Sequence, residues 1–533
     1  MRPIAFVAMP ILLVVAAVAG GCRAPGDGAL RSGAPARGAT IRLAITDDIK
    51  TLDPAHAYDT YSTAVVHALC TGLVDYDDGT RLVPDLASRW EMSADGREYR
   101  FTLRPGIRFS NGEPVTAAAF KYSLERVLRP ETGSNLRSFF AVIEGAEAVM
   151  AGSARECAGI QAPAPDRLIL RLKKPTPTFL NILAMTCAAV VPRSVAEKAG
   201  RDFARHPVGV GPYRLRSWEG SVLELERNPF YTGDDTGVRQ ITLETQVDEA
   251  VLMPRYEARE LDVTPLIPAA EMSHVRSDPQ LKQLALEAPV SQTWYLGMNT
   301  RMKPFDDVRV RQAVNYAVDR ERQARLPGAG VPATGMLPPT MPGYNPRLKG
   351  YPHDPERARQ LLRQAGYPAG FRTTMWITDA YRRRAEAIQE DLRGVGIQVE
   401  LRSVAFGVYA DTYKRENGAP CWYGGWYPDY PDPSSYLEVL FHSRNISPTG
   451  ALNATRYQNP EVDRLLDLAE RTPSGEPRLA LYRQAEEKIL ADAPVAPLYY
   501  EVETRLRQPE VEGAEVHPVW RYLRLARLRK RPS

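Results

Sequence analysis

The chain is predicted to be an α/β protein. Two observations lead there: short stretches that alternate apolar and polar residues recur from end to end, and amphipathic segments with helix-capping residues lie between them. A third supports them: proline is frequent but falls in connections such as Leu337-Pro338-Pro339 and Met341-Pro342-Gly343-Tyr344. Thr40 to Ile45 alternates as a half-buried strand does, and so do Tyr99 to Leu103 and Leu168 to Leu172. Val222 to Glu226 and Ile241 to Leu243 predict two more strands.

The helices carry start and stop signals. Thr116 starts one, with Ala119 at the N3 position and hence no capping-box carboxylate. Asp306 is the expected cap of a second, in which Val310, Ala313, Val314 and Ala317 face inward. Asp354 can accept free backbone N–H groups at the head of a third. Pro355 stands there at the first helical position, where a missing N–H costs nothing. Ala358, Leu361, Leu362 and Ala365 then form one apolar stripe, ended by Gly366. Asn459-Pro460 opens a fourth in the same way, with Val462, Leu465, Leu466 and Ala469 on its buried face.

A chain of 533 residues outgrows a single hydrophobic core, so two or three domains are expected. The formal net charge of +4 is small for this length and gives no reason to propose nucleic acid as a partner. The one dense basic run, Arg521 to Arg531, reads as a solvated tail. No Gly-x-Ser-x-Gly elbow, His-Glu-x-x-His, phosphate loop or dinucleotide fingerprint is present, so nothing points to an enzyme. The acid pairs Asp47-Asp48 and Asp77-Asp78 sit in expected loops, where neighbours in sequence point apart. The seven histidines form no metal-ligand pattern, and no cofactor is implied.

Arg2 precedes an uncharged run from Pro3 to Gly21, and Ala19-Gly20-Gly21-Cys22 places small side chains before a cysteine. This resembles the bacterial lipoprotein box, although Ala19 stands where leucine is usual. The resemblance implies a signal peptide over residues 1–21 and lipidation of Cys22. Residues 22–39, rich in Gly, Ala and Pro, would be a flexible tether. Export exposes Cys70, Cys157, Cys187 and Cys421 to an oxidising compartment. One or two disulfides are then expected, with three full pairings open.

Five further stretches, in order along the chain, resemble the extracytoplasmic solute-binding proteins that serve peptide and nickel ABC importers. The first runs from Leu86-Ala87-Ser88-Arg89-Trp90 through Tyr99 to Arg104 and on to Phe109-Ser110-Asn111-Gly112-Glu113-Pro114-Val115-Thr116. The second is Pro207 to Tyr213 followed by Arg227-Asn228-Pro229-Phe230-Tyr231. The third is Tyr295 to Thr300 running into Phe305 to Ala313. The fourth spans Asp354 to Tyr367, and the fifth is Gly425-Trp426-Tyr427-Pro428-Asp429-Tyr430-Pro431-Asp432-Pro433. The resemblance implies a two-lobed, type II periplasmic-binding-protein fold with an extra inserted domain. Domain I would comprise residues 40–62, 174–296 and 498–533, the inserted domain II residues 63–173, and domain III, the second lobe, residues 297–497. Two strands would cross between the lobes as a hinge, near Tyr295 to Thr300 and Leu498 to Thr504.

The resemblance also implies a ligand site between the lobes. A buried peptide ammonium needs a carboxylate, and in peptide-binding members that acid closes a Trp-x-x-Asp motif. Trp426-Tyr427-Pro428-Asp429 has this spacing, which makes Asp429 the expected ammonium partner, with Trp426 and Tyr427 beside it in the cleft. Trp422 and Tyr436 are expected in the core instead. Phe406 lies where relatives line a side-chain pocket with tryptophan, and Tyr58, Asp59 and Thr60 match a loop that lends backbone groups to the peptide. The arginines that meet the peptide carboxylate in some relatives have no clear counterpart; Lys414 and Arg415 read as solvated charges. The implied partners are a peptide ligand, the permease subunits of an importer, and the membrane through the lipid on Cys22, for a monomer held outside the cytoplasm. Nickel chelates, haem and oligosaccharides remain open as ligands, and so does peptide sensing without import.

Overall fold

The computed structural model describes residues 39–233 and 237–532. The expected signal peptide, Cys22 and nearly all of the tether lie outside the described residues. The expected strands form at Ala39–Ala44, Glu98–Leu103, Arg167–Arg171, Val222–Arg227 and Val238–Glu244. Helix starts follow capping chemistry. Asp354 accepts the Arg357 N–H at 2.9 Å and Asn459 the Glu461 N–H at 3.0 Å, each with proline next in the chain. Thr116 makes no side-chain cap. The expected Asp306 cap is corrected to Asp307, whose carboxylate accepts the Arg309 N–H at 2.8 Å. Asp306 still belongs to the preceding turn, where its own N–H donates to the Met302 carbonyl at 3.1 Å.

Three sheets organise the chain. The first runs in the order Ala39–Ala44, Val238–Glu244, Val222–Arg227, Tyr213–Glu219, with only its first pair parallel. Ile41, Leu43, Leu223, Leu225, Ile241 and Leu243 build its core, together with the helix Thr60–Leu69. The second is antiparallel, in the order Ala87–Met92, Glu98–Leu103, Arg167–Arg171, Ile160–Ala164, and packs Tyr99, Phe101, Leu168 and Leu170 with Phe120 and Leu124 of the helix Ala117–Leu128. The third has six strands in the order Gly330–Pro332, Val495–Leu506, Ala285–Met298, Cys421–Trp426, Phe371–Ile377, Ile397–Ser403. It holds separate cores around Leu296, Met298, Met375 and Ile397 and around Tyr436, Leu466, Tyr482 and Ile489.

The strands Ala285–Met298 and Val495–Leu506 run through both parts of the molecule. Thr293 to Met298 pair with Cys421–Trp426 inside the six-stranded sheet, whereas Ala285 to Pro289 reach only Val502 to Leu506. There Leu506 donates to Thr264 Oγ1 at 2.9 Å. The ladder shifts register between Pro289 and Thr293. Proline has no N–H to give a ladder, so the interruption falls at this point. Tyr295 to Met298, most of the segment expected at the crossing, lie inside the six-stranded sheet.

Two expectations are overturned. The run Arg521 to Arg531 is not a solvated tail. Tyr522, Leu523, Leu525 and Leu528 are buried in the first core, while Arg524 pairs with Asp75 at 2.8 Å and Lys530 with Asp262 at 2.7 Å. Apolar residues threaded between the cations bury the segment, and carboxylates meet the charges. The disulfides do not form either: Cys70, Cys157, Cys187 and Cys421 are all free and buried. Burial pushes the thiols of Cys157, Cys187 and Cys421 up to about 11, 12 and 12.

The glycines of the Pro207 to Tyr213 stretch have a steric reason. The Gly211 N–H donates to the Leu69 carbonyl at 2.8 Å, and the buried Asn228 donates its Nδ2 to the Gly211 carbonyl at 2.8 Å. A Cβ at Gly211 would stand 2.3 Å from the Ala68 carbonyl oxygen, which is backbone and has no rotamer to yield. Gly211→Ala is therefore expected to cost about 2–3 kcal/mol of stability, read as a lower urea midpoint with an unchanged slope. In the folded protein the thiols of the four buried cysteines are expected to resist iodoacetamide, and all four to alkylate after denaturation, as peptide mass spectrometry would show.

Candidate functional site

A cavity of about 360 Å³ opens where segments from distant parts of the chain meet. One wall is the turn Tyr427-Pro428-Asp429, directly after the strand Cys421–Trp426. The facing wall is Ala57 to Tyr61 at the head of the helix Thr60–Leu69, with Met185 to Cys187 and Val519-Trp520.

The Asp429 turn is held by its neighbours. The Asp429 N–H donates to Ser435 Oγ at 3.0 Å, and the Trp426 indole N–H donates to the Ser435 carbonyl at 2.6 Å. The Tyr436 hydroxyl donates to the Ser291 carbonyl at 2.8 Å. Below the turn, the buried Asp432 and Arg478 form a bidentate pair at 2.6 and 2.9 Å. On the facing wall Asp59 caps its helix by accepting the Ser62 N–H at 2.9 Å. The Val519-Trp520 segment is fixed by His517. Its Nε2 lies 2.7 Å from the Asp77 carbonyl, and its Nδ1 accepts the Val519 N–H at 3.2 Å. Burial pulls the His517 pKa down to about 4, which keeps the ring neutral as this bonding requires.

Several contacts bridge the two walls. The Tyr58 hydroxyl donates to the Asp429 carboxylate, and the Tyr427 hydroxyl donates to the Val519 carbonyl. Farther along the cleft Lys174 pairs with Glu470 at 2.7 Å, and Ser474 Oγ donates to the Pro177 carbonyl at 3.3 Å. These contacts flank an adjoining cavity of about 330 Å³, lined by Thr178, Tyr430, Glu438, Arg444 and Arg478 among others. Burial raises Glu438 there to about 7 even though the Tyr482 hydroxyl donates to it at 2.5 Å.

Asp429 is the electrostatic oddity of the site. Burial pushes its carboxyl above the usual range, and the Tyr58 hydroxyl only partly offsets this. Among the described residues no lysine, arginine or histidine pairs with it. A carboxylate removed from water without a cation is poised for a positively charged group from outside. Cys187 on the same wall is a neutral thiol, and no group of three His, Cys, Asp or Glu among the described residues could hold a metal.

Of the residues singled out from the sequence, Tyr58, Asp59, Thr60, Tyr427 and Asp429 line the cavity. Trp426 and Phe406 do not. Trp426 turns away, packing against the core around Tyr436, because alternation along the strand puts it on the opposite side from Tyr427. Phe406 is 72% exposed on the helix Phe406–Tyr413, against Tyr409. Trp422 and Tyr436 are buried, and Arg415 pairs with Asp411 at the surface. Met185, Thr186, Cys187, Val519 and Trp520 were missed. They are ordinary apolar or small residues whose sequence context carries no ligand signal.

The comparisons with known proteins agree with this geometry. Residues 81–448 match the model of the bacterial extracellular solute-binding proteins, family 5 Middle. The glutathione-binding protein GsiB of Salmonella paratyphi A is 30% identical over 489 residues, covering 90% of this chain and 92% of that protein. The solved structure of clavulanic acid biosynthesis oligopeptide binding protein 2 superposes with a TM-score of 0.83 at 27% identity, over 93% of this chain and 96% of that one. The Escherichia coli murein tripeptide binding protein MppA does so with a TM-score of 0.74 at 26% identity, over 94% and 100%. The fold is thus the two-lobed type II periplasmic-binding-protein fold. One lobe carries the first two sheets and the other the six-stranded sheet, with the cavity between them. A chain matched over most of its length, with two lobes facing each other across a cavity, belongs to the bacterial extracellular solute-binding proteins of family 5.

Proposed function

We propose that this protein captures short peptides bearing a free amino group and delivers them to the permease of an ABC importer, held to the cell envelope by lipid on Cys22. The observation that carries the peptide reading is Asp429, a desolvated carboxylate on the cavity wall with a phenol and, among the described residues, no cation as its partner. A ligand ammonium entering the cavity meets that carboxylate and supplies the cation that none of the described residues provides. The volume of about 360 Å³ suits a ligand of a few residues. Similarity to proteins named for binding glutathione, murein tripeptide and oligopeptide supports the same class, since each of those ligands is peptide-like with a free amine. Glutathione, with its γ-linked glutamate and two carboxylates, is the specific alternative within that class.

In this reading Tyr58, Asp59 and Thr60 offer groups from the first lobe and Tyr427 walls the ligand from the second. In this reading the chain keeps the three expected domains, but the first crossing lies earlier than expected, with movement centred on the interruption at Pro289 to Thr293. Ligand would favour closure by touching both walls at once.

Free-amine peptides of two to eight residues, glutathione among them, are expected to raise the melting temperature, and their N-acetylated twins to leave it unchanged. Asp429→Asn is expected to weaken calorimetric affinity by about 2–5 kcal/mol with the fold retained. Wild-type affinity in that variant, or equal binding of acetylated peptides, would discard the ammonium reading. Sign also fixes a pH dependence. With its pKa raised, Asp429 keeps its proton to a higher pH than an exposed aspartate would. Peptide affinity is therefore expected to fall as pH drops through that raised pKa, and Asp429→Asn to lose this dependence. Cys22→Ser is expected to move the protein from the detergent phase to the aqueous phase in Triton X-114 partitioning.

A further inference from the structure

Arg521 follows directly on the cavity residues Val519 and Trp520, and its backbone is unusual. Its φ is 53°, in the left-handed region that few residues other than glycine adopt. The turn is closed by the Arg521 N–H donating to the His517 carbonyl at 2.9 Å and the His517 N–H donating to the Tyr522 carbonyl at 3.0 Å. This conformation sends the guanidinium inward. Its Nη2 lies 3.3 Å from Glu501 Oε1 and 3.4 Å from Glu503 Oε1, and its carbon stands 4.8 Å from the centre of the Tyr427 ring. Its Nε is buried without a hydrogen-bond partner among the described residues.

Each of these contacts belongs to a different part of the machine. Glu501 and Glu503 stand two residues apart on the strand Val495–Leu506, hence on one face of it, where the strand passes from one lobe to the other. Glu501 also accepts the indole N–H of Trp294 at 2.7 Å, and that ring stacks on Tyr423 and Tyr499 of the second lobe. Glu503 also accepts from Arg505 Nη2 at 2.8 Å, and the Arg505 guanidinium lies over Tyr522 in the first lobe. Tyr427 is the second lobe's cavity wall, next but one to Asp429. A first-lobe side chain therefore touches the crossing strand twice and the opposite wall once. Without it, Glu503 would keep only Arg505 as an ion-pair partner, and Glu501 only the Trp294 indole and the field of Arg384, with the two like charges on one strand face.

We infer that Arg521 is a positioning residue that couples occupancy of the cavity to closure of the lobes. It clamps Tyr427 to the first lobe and neutralises the carboxylate pair at the crossing. A ligand that presses on Tyr427 and Asp429 bears on the same clamp. This inference rests on the proposed ligand-capture reading for its purpose, but the closure equilibrium can be read without any ligand.

Spin labels at Glu131→Cys and Arg464→Cys, both exposed and on opposite lobes, would report lobe separation in the full chain carrying Cys22→Ser. The native thiols are buried and would not label. In the free protein, Arg521→Gln is expected to broaden the distance distribution and shift it to longer separations. It is also expected to raise the dissociation rate of trialanine about tenfold while the association rate changes little. Arg521→Lys keeps the charge without the planar stack and should fall between the two. An unchanged distance distribution in Arg521→Gln, with only the melting temperature lowered, would reduce Arg521 to a structural residue and overturn the inference. A shifted distribution with no trialanine or glutathione bound by the wild type would uphold the clamp and defeat the peptide reading instead. If Arg521→Gln does not fold, the comparison passes to Arg521→Lys and Tyr427→Leu. Wild-type separations in both would overturn the inference equally.

Discussion

The strands Ala285–Met298 and Val495–Leu506 are the constraint from which the cavity follows. They pair along most of their length within one sheet, yet different parts of the pair are packed into different cores. Their pairing positions the wall with Tyr427 and Asp429 and the Val519-Trp520 part of the facing wall. Thr293 to Met298 carry the strand Cys421–Trp426 on their free edge, and the turn with Tyr427 and Asp429 leaves its end. Downstream of Val495–Leu506 the chain returns to the first lobe as the segment with Val519 and Trp520. Parts of both walls are thus hung from one pair of strands, and a bend in that pair changes the gap between them. Pro289 and the register shift beside it supply the weak point, since few ladder hydrogen bonds would break there on bending.

The site contrasts with the charge chemistry elsewhere in the molecule. Several buried carboxylates are met by cations: Asp432 by Arg478, Asp53 by Arg126, Asp262 by Lys530. Such pairs hold loops in place because breaking one strands a charge out of water. Asp429 has no cation partner among the described residues. Its turn is built as firmly as any, through Ser435, Trp426, Tyr436 and the Asp432–Arg478 pair beneath, but its own charge has only the Tyr58 hydroxyl. The surrounding framework bears the cost of keeping an unpaired carboxylate half-buried. That cost is what ligand binding would relieve.

Local chemistry was legible wherever the cause was itself local. The caps at Asp354 and Asn459 and the alternating strands depend on neighbours within a few residues, and they stand close to where the pattern puts them. The Asp306 expectation missed by one residue because both aspartates of Asp306-Asp307 can cap; only the path of the preceding turn decides which of them does. The disulfide expectation failed for a long-range reason. The fold buries Cys70 and Cys421 in two different cores and Cys157 and Cys187 in a third, each as a free thiol, and compartment chemistry says nothing of that. The basic run is buried by the leucines and tyrosine set between its arginines, a packing that charge density does not report.

What the sequence determined by itself is the α/β class, the capped helices, the order of the family's motifs and the presence of one acid in a Trp-x-x-Asp turn. These follow from periodicity, from hydrogen bonds spanning a few residues, and from residue identity. Tertiary structure decided which of those residues face the cavity. It brought Tyr58 to Asp429 across 371 positions of chain, turned Trp426 to the core while its neighbour Tyr427 lined the cavity, and carried Trp520 and Arg521 back to the crossing strands. The physical reason is that a cavity between lobes is made of surfaces, and each surface takes its residues from strand registers and turns hundreds of positions apart. No pattern confined to one stretch of sequence encodes that meeting.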